Sequence, residues 1–158
     1  MMKKLFKLAA VAITGVVLGL LIQSCSTAKP IDNAQLEGYW VLKTFESKPV
    51  GESFKGSIPS LEFDFEKGQI YGSAGCNRYF GGFTFENNVL KAPNLGSTMM
   101  ACIEENKENE FLKILSLADG LQVSIENDLL IFKNGDTAVL EFSKGEKQEN
   151  TTQASVEE

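Results

Sequence analysis

Histidine is missing from all 158 residues. Its absence removes the commonest general base and the commonest imidazole metal ligand, so serine–histidine and cysteine–histidine catalysis are excluded. Cysteine is scarce. The three present, Cys25, Cys76 and Cys102, form no C-x-x-C pair, so the spacing of a zinc site or of a thioredoxin-type redox motif is lacking. Positive charge is also short: 15 Lys and Arg against 21 Asp and Glu give a formal net charge of −6. The balance is more negative still once Lys3, Lys4 and Lys7 at the start are set aside, and a surface that acidic repels nucleic acid. No repeat at a solenoid or propeller period is visible. Helical pattern is sparse too, and parallel strands need repeated crossovers that this chain does not supply.

What is present starts with an export signal. Residues 1–24 combine a basic start, an apolar run from Leu8 to Ile22 and a small residue, Ser24. The run is too short and too interrupted for a membrane span. Leu21-Ile22-Gln23-Ser24-Cys25 resembles a bacterial lipobox, which makes Cys25 the expected lipid attachment site, acylated with palmitate-type chains after cleavage. Each buried methylene adds about 0.8 kcal/mol, so several chains on one cysteine anchor a protein stably. Ser26 follows, with no acidic residue there, as in lipoproteins sorted to the outer membrane and facing the periplasm. An ordinary secretory signal with a coincidental cysteine, or an uncleaved anchor, is the alternative. Residues 25–33 read as a lipidated tether, 34–142 as one domain, and 143–158 as a disordered acidic tail with too little apolar surface to order.

Within the domain, short strands dominate. Tyr39 to Phe45 alternates around Trp40, Leu42 and Thr44, while Leu61-Glu62-Phe63-Asp64-Phe65-Glu66 places three apolar residues on one face and three acids on the other. Lys67-Gly68 turns the chain into Gln69 to Ala74, and further hairpins are expected around Glu86-Asn87-Asn88, Glu126-Asn127-Asp128 and Asn134-Gly135. Ser47 to Ser60 reads as a long loop, and Pro93 and Gly96 as breaks. One helix is expected from Glu104 to a stop at Gly120, with Phe111, Leu112, Leu115 and Ala118 on its apolar face. The pattern predicts a mainly β (α+β) domain: a small antiparallel sheet, curled or barrel-like, with one inserted helix.

The densest chemistry lies in the glycine-rich run from Gly72 to Phe83. Its Asn77, Arg78 and Tyr79 form a candidate interaction turn, Arg78 being suited to a carboxylate or phosphate. Met99 and Met100 read as core filler. Glu62, Asp64 and Glu66 could bind calcium weakly or act as an acid/base pair, although a solvated strand face accounts for them. A cavity lined by Phe63, Phe65, Phe83 and Phe85 is the mark of a small-molecule carrier.

The order Gly75-Cys76-Asn77, Gly81, Thr98-Met99 with Ala101-Cys102, Glu110-Phe111-Leu112 and Leu140-Glu141-Phe142, led by Leu36-Glu37-Gly38 and Trp40, resembles the META domain. That family includes the HslJ-like heat-shock lipoproteins. The resemblance implies a compact β-rich domain with one helix in bacterial envelope proteins associated with stress tolerance, and it brings no catalytic, cofactor or metal residues. Its two motif cysteines match Cys76 and Cys102. In an oxidising compartment these form a disulfide, with two buried free thiols or a reversible redox switch as the other readings. The expected activity is therefore non-enzymatic: binding of an envelope protein or small ligand, or envelope maintenance under stress. The rivals are a carrier with a cavity inside the sheet and an enzyme using carboxylates alone.

Overall fold

The computed structural model describes residues 29–146. The expected signal over 1–24, Cys25, and the tail from residue 147 onward lie outside the described residues. In chain order the elements are a single helical turn α1 (Asn33–Leu36), β1 (Trp40–Phe45), β2 (Lys48–Pro49), a second turn α2 (Val50–Ser53), β3 (Ser60–Asp64), β4 (Gln69–Ser73), β5 (Arg78–Gly82), β6 (Thr84–Glu86), β7 (Val89–Lys91), β8 (Leu95–Ser97), α3 (Glu108–Leu115), β9 (Leu121–Glu126), β10 (Leu129–Asn134) and β11 (Thr137–Lys144). The strands make one antiparallel sheet in the order β6-β7-β9-β10-β11-β1-β3-β4-β5-β8, with β2 paired to β1. It curls into an open half-barrel, the mainly β architecture that the sequence predicts.

Tight turns set the register. Glu46 with Ser47, Asn87 with Asn88, and Asn127 with Asp128 all have positive φ, and each pair links strands through Phe45↔Lys48, Glu86↔Val89 or Glu126↔Leu129. Two left-handed residues match the right-handed twist of the flanking strands, and Asn and Asp tolerate that conformation. In β1 the pairing with β11 slips between Leu42 and Thr44, so Phe45 is buried in place of the expected Thr44.

Two strands fall where the sequence reads as a turn or a break: β5, inside the glycine-rich run, and β8, around Gly96. Glycine in β4 and in β5 serves close backbone approach. A Cβ on Gly72 would fall on the carbonyl oxygen of Ser60, and one on Gly81 would lie 2.6 Å from that of Asn94. The expected long loop before β3 also holds β2 and α2.

Helix α3 starts at Glu108 rather than Glu104. The preceding residues are drawn into other bonds: Asn106 bridges Phe54, and the Lys107 N–H donates to the Ser53 carbonyl at 3.1 Å. Ala118 lies beyond its end, while Phe111 and Leu115 are buried. Phe111 sits between distant parts of the chain, with ring centroids 6.4 Å from Phe54, 5.8 Å from Tyr79 and 6.4 Å from Phe142. With Trp40, Phe45 and Phe132 these rings fill the interior, each contributing roughly 2–3 kcal/mol by burial.

Both domain ends reach further than expected. Ser143 and Lys144, read as tail, pair with Val41 and Trp40, and the Lys144 ammonium lies 4.6 Å over the Trp40 ring while donating to the Glu37 carbonyl. At the other end, residues read as tether are docked: the Asn88 side chain donates to the Lys29 carbonyl and accepts from the Ile31 N–H, both at 2.9 Å. Among the described residues no helix is long and apolar enough to cross a membrane.

Candidate functional site

The turn at residues 74–77 joins β4 to β5 and is tied to two other segments. Cys76 is bonded to Cys102 with their Cα atoms 6.0 Å apart. Asn77 is buried, and its Oδ1 accepts from the Thr98 hydroxyl at 2.8 Å and from the Met100 N–H at 2.7 Å. Its Nδ2 lies 3.5 Å from Cys102 Sγ. Thr98 in turn accepts from the Arg78 N–H at 3.1 Å. The third tie comes from α3, whose first residue, Glu108, is buried and accepts from the N–H groups of Cys76 and Asn77 at 3.1 and 2.8 Å. A turn, a loop and a helix start are thus held by one covalent bond and a hydrogen-bonded polar cluster.

The expected interaction turn divides. Asn77 and Tyr79 point inward, Tyr79 donating its hydroxyl to the Ser60 carbonyl at 2.9 Å. Burial pushes its phenol well above the ordinary value, with the nearby Glu62 charge adding to the shift, so it stays protonated. Arg78 is exposed, as is Phe80. Met99 and Met100 are not core filler. Met99 is 96% exposed, Met100 57%, Ile103 99% and Phe80 60%. The reason is local: with Met100 N–H committed to Asn77 and Cys102 to Cys76, the backbone of this loop faces the frame and its side chains are directed outward. Beside the disulfide a surface hollow of about 290 Å³ is lined by Gly75, Cys76, Cys102, Ile103, Glu104 and Asn106, among others.

The other sequence candidates do not converge. Phe63, Phe65 and Phe83 pack on one another with centroids 5.2–5.7 Å apart, while Phe85 lines a separate open hollow with Pro30 and Ile31. Of the acidic strand face, Asp64 is engaged by Lys67, whose side-chain hydrogen bond, at 2.7 Å, holds the carboxyl below its ordinary value. Among the described residues the ligand-type atoms of Cys76, Cys102 and Glu108 gather within 4.8 Å of one another. Sequence reading missed Glu108. An acid in the first turn of a helix is ordinary by itself, and only the fold brings this one to a turn more than 30 residues earlier, |i−j| being 32 to Cys76.

Fold and site together define a small half-barrel with Phe111 and Leu115 of one helix buried in its core and a disulfide clamping the β4–β5 turn to the loop before that helix. The chain belongs to the META domain family, whose model matches residues 33–147. It is similar to two proteins solved by NMR. One is 27% identical with a TM-score of 0.57, over 72% of this chain and 95% of that one. The other, from Burkholderia xenovorans, is 26% identical with a TM-score of 0.52, over 79% and 98%. No curated protein matches the chain.

Proposed function

We propose that this META-domain protein is a bacterial envelope lipoprotein that works by surface contact, holding another envelope protein during stress-related maintenance and performing no covalent chemistry. In this reading acylated Cys25 anchors it to the outer membrane on the periplasmic side. The observation that carries the contact reading is the apolar rim of Phe80, Met99, Met100 and Ile103 standing in water beside Arg78. Scattered apolar residues on a surface are normal. Four large ones on a single cross-linked loop and the strand paired beside it mark a contact surface. Methionine suits the task, since its unbranched thioether adapts to irregular partner surfaces.

A small-molecule carrier draws no support from the packing, because aromatic rings occupy the interior and the Phe63, Phe65 and Phe83 cluster closes on itself. The non-enzymatic reading rests on the missing histidine and on the commitment of Glu108 to backbone N–H groups.

The test is photo-crosslinking in living cells from a reactive residue placed at Met99, with the same residue at exposed Asn87, on the β6–β7 turn, as control. A single envelope protein captured from position 99 and not from 87 is expected. Equal capture from both positions, or none from 99, would remove the contact reading.

A further inference from the structure

We propose that reduction of the Cys76–Cys102 disulfide uncovers a zinc site formed by the two cysteine thiolates and the Glu108 carboxylate.

The three ligand atoms already lie within 4.8 Å of one another. Around a tetrahedral zinc, with Zn–S about 2.3 Å and Zn–O about 2.0–2.2 Å, neighbouring ligand atoms sit about 3.5 Å apart. Side-chain rotations that open the S–S bond and draw the carboxylate in by about an ångström meet that requirement, with no change in the 6.0 Å Cα separation. The donors are also oriented. The Glu108 carboxylate is held in place by the hydrogen bonds that its Oε2 accepts from the Cys76 and Asn77 N–H groups. The Asn77 Nδ2, 3.5 Å from Cys102 Sγ, is placed to donate to a thiolate there, the kind of outer contact that supports ligating sulfur. The hollow beside the two sulfurs gives a path for the ion and room for a water in the fourth position.

In the oxidised protein the sulfurs are neutral and bonded to each other. A dithiol reductant changes this: its two thiols form a new disulfide, and Cys76 and Cys102 become thiols. Zinc then displaces one proton from each, giving two Zn–S bonds and two released protons. Two sulfurs with one carboxylate oxygen suit zinc better than a softer Cu(I) or a harder Ca²⁺. The metal would replace the covalent cross-link, so the loop carrying Met99, Met100 and Ile103 would stay clamped under reducing conditions.

The test uses the full chain with Cys25→Ser, so that Cys76 and Cys102 are its only cysteines. It is reduced with a phosphine, freed of reductant and titrated with Co²⁺ and then Zn²⁺. Expected are a thiolate-to-cobalt absorption in the near ultraviolet, its loss on adding one equivalent of zinc, and a zinc-dependent rise in melting temperature. The oxidised chain should show none of these. Glu108→Gln, whose amide oxygen still accepts from the turn, should weaken zinc binding by about tenfold or more. No cobalt band in the reduced chain would overturn the proposal. So would equal affinity in Glu108→Gln, because two thiols on an opened loop would then explain the binding without the assembled site.

Discussion

Replacing Glu108 by alanine removes a single acceptor that serves two backbone donors. The bonds to the Cys76 and Asn77 N–H groups, 3.1 and 2.8 Å long, are charge-assisted, a type whose net contribution is about 1.5–3 kcal/mol each. Their loss is not fully additive. Cys76 is only half-buried, so water can reach its N–H once the carboxylate is gone, whereas Asn77 is buried and its donor would be left without a partner. The expected destabilisation is therefore about 2–4 kcal/mol. Equilibrium urea unfolding with the disulfide intact measures it, the midpoint falling by roughly 1–2 M at an unchanged slope. Glu108→Gln keeps an acceptor oxygen and should lose only about 1 kcal/mol. Glu110→Ala, which breaks an exposed pair with Lys107, should leave the midpoint unmoved. A Glu108→Ala protein within about 0.5 kcal/mol of the parent, or a glutamine variant as damaged as the alanine one, would refute the claim that this carboxylate holds the turn.

Changing Cys76 and Cys102 together to serine should lower stability by about 3.5 kcal/mol, the chain-entropy value for a loop of this length, in the same unfolding assay. A loss below about 1 kcal/mol would mean that the polar cluster alone fixes the clamp. Cys25→Ala should abolish metabolic lipid labelling and release a soluble form, and labelling that persists would reject the anchor.

Much of the fold could be read from the chain because alternation is a local signal. Leu61 and Phe63 point inward with Glu62 and Asp64 between them, and the Asn87-Asn88 and Asn127-Asp128 turns announce their hairpins. Where reading failed, the deciding contact was remote. Gly81 weakens any strand pattern, yet β5 pairs with β8 because a glycine there lets the Asn94 backbone close in. The phase of β1 depends on a bulge set by β11. The site was half visible: Cys76, Asn77 and Cys102 stood out by type, but the direction of Met99 and Met100 follows from what their backbone is bonded to. Apolar character predicts burial on average and cannot identify a loop held open by its own frame.

The docking of Lys29 to Ile31 against Asn88 bears on how far the protein could range. With a lipid on Cys25, the chain between that anchor and the first docked residue spans at most about 15 Å even when fully extended. On that anchor the domain would be held against the bilayer headgroups, on a leash shorter than its own diameter. On such a leash it would not reach a distant client. Whatever meets Met99 and Ile103 would have to come to the membrane surface, or be resident there already.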